Sequence, residues 1–259
     1  MEDKDIRLIS GGDLRACWPR ECKDAERVWA YMPSKIVLEG NDVIHDCFYA
    51  VYQKQANLFF AAYRLCELNL GNEARLLERA LFELWLIIDQ LAEGKEPEKF
   101  AADLIAWGHA NEHDRLQKLL KRHPEASKDA IAGRFLEILE GKLADVKASW
   151  GDNWKDFVKH GPISAGPGSL AWRKGSPLGE YYSMISSVAH SYDLHAYYPY
   201  ANRNEIEHLL DVRGEVLDNC IVWFANTLEL GAKYFPLLNS SDHNSILEIR
   251  NRILSQQDV

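Results

Sequence analysis

The sequence predicts an all-α protein: a multi-helix bundle with an N-terminal arm and a long Gly/Pro-rich loop. Three observations point to this class. Apolar residues recur at three- and four-residue steps along most of the chain, the period of a helix that buries one side. No stretch shows the strict apolar/polar alternation of a half-buried strand. The segment Asn72–Leu91, NEARLLERALFELWLIIDQL, becomes apolar around most of its circumference where Phe82, Leu84, Trp85, Ile87 and Ile88 gather. A helix with so little polar surface reads as a central one.

The elements follow in order. Residues up to about Pro33 mix charges and prolines with short apolar pieces, and read as an arm (1–33) with one or two short helices. Residues 34–259 read as one bundle domain. From roughly Ser34 to Leu70, Ile44, Phe48, Val51, Tyr52, Leu58, Phe59, Ala62 and Leu65 repeat at helical spacing. Gly71 stops that helix and Asn72 is placed to cap the next. Gly94 and Pro97 punctuate, and a polar helix covers about Glu98–Arg122 before His123-Pro124. Ser127 with Asp129 opens another helix to about Trp150, and Asp152–Val158 reads as a short helical turn. The stretch Gly161–Gly179 holds five glycines and three prolines and reads as a loop, a length that normally signals function or disorder. A helix starting at YYSMISSVAH, an aromatic run, a long helix over about Asn204–Phe235 and a last one from Ser241 complete the chain.

Composition narrows the function classes. With 259 residues, 47% apolar and 27% charged, the chain has ample material for a core. A net charge of −9 argues against a broad nucleic-acid or anionic-membrane footprint, which needs basic surface. Cys17, Cys22, Cys47, Cys66 and Cys220 form no C-x-x-C pair and read as reduced thiols of a cytoplasmic protein. The charged start MEDKDIRLIS lacks the apolar core of a signal peptide, and no apolar run is long enough to cross a bilayer.

The candidate chemistry centres on the Asn72–Leu91 helix, where Arg75, Arg79 and Glu83 fall on one stripe. Burying such charges without partners costs several kcal/mol or more, so they pair with one another or face a pocket. Later in the chain Tyr182, Ser186 and His190 share a helical face at four-residue spacing. Arg79, Glu83, Tyr182, Ser186 and His190 are therefore the expected ligand-binding set, and the competing reading is an interhelical hydrogen-bond network. A Ser–His pair alone makes no hydrolase, and G-x-S-x-G is missing.

The GNEARLLERALFEL segment, followed about a hundred residues later by YYSMISSVAH, resembles an uncharacterised family of all-helical bacterial proteins. Its recurring features are a central helix bearing Arg and Glu and a later Ser-x-x-x-His. The resemblance covers roughly Ile36 to Tyr234. It implies a helical fold and a shared role for Arg79, Glu83, Ser186 and His190, and it implies no reaction. A second, shorter likeness is Arg203-Asn204 with His208, which resembles the motif of the HEPN ribonucleases of toxin and defence systems. It implies an alternative in which His208 is general acid or base and Arg203 stabilises the phosphate.

Other motifs carry less. His109-Ala-Asn-Glu112-His113 matches H-x-x-E-H, but sits on a polar helix that reads as solvated. Glu205-x-x-His208 and Asp42-x-x-His45 make only an approximate di-metal pair. Arg173-Lys174-Gly175-Ser176 lacks the P-loop order. The expectation is a helical binding or interaction module for an unknown small molecule or protein. It needs no metal or cofactor and touches no membrane; RNA is a partner only under the alternative, and the oligomeric state stays open.

Overall fold

A computed structural model describes residues 13–31, 42–125, 129–163, 166–189, 211–234 and 241–257. Every regular element among these residues is helical, as the periodicity predicts. Contacts group the chain into two compact units. One comprises Met1–Gly40, Phe48–Ala92 and Gly168–Val259, and the other Asn41–Cys47 and Glu93–Pro167.

The larger unit is built from α1 (Leu14–Cys17), α2 (Pro19–Tyr31), most of α3 (Val43–Glu67) and of α4 (Gly71–Glu93), α8 (Gly166–Lys174) from Gly168 onward, α9 (Ser176–Ala189), α10 (Arg213–Gly231) and α11 (Ser241–Gln257). As expected, α4 is a central helix, and α10 is buried more completely still. Fourteen of its nineteen residues are buried, against eleven of twenty-three in α4. Trp223 of α10 meets Phe82 edge-on at 4.6 Å and Trp85 at 5.0 Å, while Phe224 meets Tyr52 at 5.5 Å. Helices approach closely where α10 offers glycine: a Cβ on Gly231 would lie 2.1 Å from the Phe48 ring. One buried amide ties three helices, since Gln55 Nε2 donates to Leu81 O and to Thr227 Oγ1.

Residues 13–31 of the expected arm hold two short helices, as the sequence predicts, and α2 packs into the larger unit: Cys22, Ala25 and Val28 are core residues, Trp18 lies over Gly214 and donates from Nε1 to Asp211 at 2.8 Å, and Asp24 pairs with Arg252. One expectation changes. The Gly/Pro stretch 161–179 is not a loop, because most of it is α8 and the start of α9. Pro167 and Pro177 occupy first turns, where a missing N–H costs a helix nothing. Gly161, Gly166 and Gly175 take positive φ at the helix borders, a backbone region glycine enters without strain. The expected long helix over Asn204–Phe235 is described only as α10, since residues 190–210 and 235–240 lie outside the described residues.

The smaller unit is a helical hairpin, α5 (Pro97–Arg122) and α6 (Ala130–Trp150), with α7 (Trp154–His160) after one 3₁₀ turn. Asp129 caps α6, accepting from the Ile131 and Ala132 amides. Trp107 of α5 donates to Val158 O at 3.0 Å, and Trp150 stacks on Phe157.

Candidate functional site

The site lies within the larger unit, where α9 crosses the face of α4. Helical geometry divides the expected Arg75–Arg79–Glu83 stripe. Each four-residue step advances about 40°, so Arg75 and Glu83 address different neighbours. Arg75 turns to α10 and pairs with Glu215 at 2.8 Å. Arg79 and Glu83 turn to α9. Arg79 Nε donates to Glu83 Oε1 at 2.8 Å, Arg79 Nη2 to the Tyr182 hydroxyl at 3.1 Å, and that hydroxyl donates to Glu83 Oε1 at 3.1 Å. The three side chains form a closed triangle that stays partly open to solvent, with Arg79 20% and Glu83 28% exposed. Burial works against the Arg79 guanidinium, but the bonds to Glu83 and Tyr182 outweigh it and raise its pKa above the ordinary value.

What positions Tyr182 is α8. Its Lys174 pairs with the buried carboxylate of Asp89 on α4, and its Gly168 backs the Tyr182 ring so closely that a Cβ there would lie 2.9 Å from Cε1. Ser186, one turn beyond Tyr182, is half-buried as a residue, but its hydroxyl oxygen is enclosed and has no hydrogen-bond partner. The structure therefore joins Arg79, Glu83 and Tyr182, and sets Ser186 beyond them without a bond to them. His190 lies outside the described residues, as do Arg203 and His208 of the ribonuclease alternative and Glu205 of the approximate metal pair. Among the described residues no group of three or more His, Cys, Asp or Glu is placed to hold a metal ion. His109 of the H-x-x-E-H stretch sits in the smaller unit, its pKa lowered by burial and by the Lys142 charge.

A second layer lies directly beneath, made of the residues adjoining Arg79 and Tyr182. Glu78 is fully buried. Its Oε1 accepts from the Tyr181 hydroxyl at 2.5 Å and from Asn219 Nδ2 at 3.0 Å, and Trp223 Nε1 donates to the same hydroxyl at 2.8 Å. Its Oε2 has no hydrogen bond and faces Arg75 Nη1 at 3.8 Å, also without one. Burial pushes the Glu78 carboxyl up to about 7 against the opposing pull of Tyr181, Arg75 and Asn219. Tyr181 is driven well above the usual phenol range by its own burial and by the Glu78 charge. A carboxyl so placed changes protonation in the neutral range instead of being fully ionised there. Sequence reasoning passed over Glu78, although the signal was present: it shares a helical face with Ala74, Leu81, Phe82 and Trp85, a lone acid on an apolar side.

Comparison with protein-family models, with curated proteins and with solved structures finds no match to this chain.

Proposed function

We propose that the protein is a helical binding or interaction module, and that it recognises its ligand at the edge of α4 and α9 through Arg79, Glu83 and Tyr182. The observation that carries this reading is the half-open Arg79–Glu83–Tyr182 triangle. Its rotamers are fixed before a ligand arrives, so less conformational entropy is lost on binding. Arg79 keeps Nη1 for a further acceptor and Glu83 keeps lone pairs for a donor, whereas the unpartnered Ser186 hydroxyl is enclosed by protein. A guanidinium beside a carboxylate suits a ligand that presents an acceptor and a donor side by side.

The test is a thermal-shift series with small carboxylates, phosphate monoesters and primary amides on the wild type, Arg79→Gln and Tyr182→Phe. A ligand that raises the wild-type Tm and moves neither variant supports the reading. A panel that leaves the wild type unmoved, or moves all three proteins alike, overturns it. Metal-independent RNA cleavage by the wild type that is lost in His208→Ala would replace it with the nucleolytic alternative.

A further inference from the structure

A separate groove lies in the larger unit between α2 and α3, with Arg15 of α1 at one end. On α3 its lining residues Phe59, Phe60, Tyr63, Arg64 and Glu67 share one helical face, and on α2 Glu26 and Trp29 lie one turn apart. The floor is apolar and closed, since Phe59 and Ala25 are buried. One wall is aromatic: Trp29 and Phe60 stack at 4.6 Å and 28°, and Phe60 leaves 44% of its surface to solvent. The rim alternates in sign. Arg15 pairs with Glu26 at 2.6 Å and Arg64 with Glu67 at 2.5 Å. The Tyr63 hydroxyl donates to Glu26 Oε1 at 3.0 Å. Burial and the Glu26 carboxylate raise the Tyr63 pKa, which keeps the phenol a neutral donor.

We propose that this groove binds a free aromatic α-amino acid, with the ring against Trp29 and Phe60, the carboxylate toward Arg15 and Arg64, and the ammonium toward Glu26 and Glu67. Three observations select that class. The volume is about 250 Å³, below the roughly 300–1,000 Å³ of sites for drug-sized ligands, so the groove takes one ring system and little more. The exposed aromatic wall supplies offset or edge contacts to a planar ring. The rim holds two guanidinium groups and two carboxylates, so a singly charged ligand meets as much repulsion as attraction. A zwitterion instead matches both signs and displaces water rather than breaking ion pairs. Arg15 and Arg64 are the most exposed members of these pairs, so their remaining N–H groups can reach a carboxylate.

The experiment is isothermal titration of the full chain at neutral pH with L-phenylalanine, L-tyrosine and L-tryptophan. Phenylacetate, phenethylamine and L-alanine remove one charge, the other charge and the ring in turn. At least one aromatic amino acid should bind, and each truncated analogue of it should bind about tenfold more weakly or worse. Phe60→Ser, at an exposed position, and Glu26→Gln should each weaken binding by a similar factor. No heat from any of the three amino acids at millimolar concentration overturns the proposal. So does phenethylamine or phenylacetate binding as tightly as phenylalanine, or undiminished binding to Phe60→Ser. The ligand series on the wild type decides the matter even if a variant fails to fold.

Discussion

Replacing Glu78 with Gln should remove a pH dependence of stability that the wild type carries through the neutral range. Glu78 is enclosed by Arg75 on its own helix, by Tyr181 of α9 and by Asn219, Glu215 and Cys220 of α10. Its folded carboxyl is raised to about 7 from an ordinary 4.5. The folded state therefore keeps this proton across a window in which the unfolded chain has released it. The contribution is complete below about pH 4.5 and is lost as pH rises through about 7. At about 1.36 kcal/mol per pH unit, the loss is on the order of 3 kcal/mol. The substituted amide can accept from Tyr181 and Asn219 but does not titrate. Asp218, raised to about 6 by burial among Arg20, Glu21, Asp24 and Arg252, titrates in both proteins and drops out of the difference. Urea denaturation of wild type and Glu78→Gln from pH 4.5 to 8 should give curves that diverge, the wild type losing on the order of 3 kcal/mol relative to the variant. Curves that stay parallel within about 1 kcal/mol, or that diverge in the opposite sense, would refute the assignment of a raised pKa to Glu78.

Three further outcomes follow from the same geometry. Gly168→Ala should cost about 1–3 kcal/mol, because the new methyl overpacks the Tyr182 ring; most of that loss should vanish in a Tyr182→Ala background, measured by denaturation midpoints. A double-mutant cycle on Arg79 and Glu83 should give a coupling near 1 kcal/mol, closer to a surface pair than to the 3–5 kcal/mol of breaking a fully buried one. Trp85→Ala should destabilise by about 3–5 kcal/mol, since its ring is buried against Phe82 and Trp223; a loss below 1 kcal/mol by urea denaturation would contradict that packing.

The sequence by itself determined the helical class, because hydrophobic period is a property of each local segment. It also placed α5 and α6 closely, through Pro97, His123-Pro124 and the Asp129 cap, and it marked Trp85 for burial. It named Arg79, Glu83 and Tyr182 together, since four-residue spacing puts Arg79 beside Glu83 and leaves Tyr182 a polar tip to share. Other features depended on which surfaces meet. Pattern marked α4 as central but did not single out α10, where Gly214 and Gly231 let Trp18 and Phe48 close over the helix and bury it on more sides. The Gly/Pro stretch carried helix borders rather than a loop, a distinction set by φ at three glycines and by prolines falling in first turns. Glu78 and Tyr181 each sit one residue from a partner the sequence did single out. One residue turns a helix by about 100°, enough to move a side chain from the solvent edge to the core. Only the packing of α9 and α10 against α4 decides that Glu78 is enclosed while Arg79 beside it stays half-open, and which of two neighbouring tyrosines is enclosed.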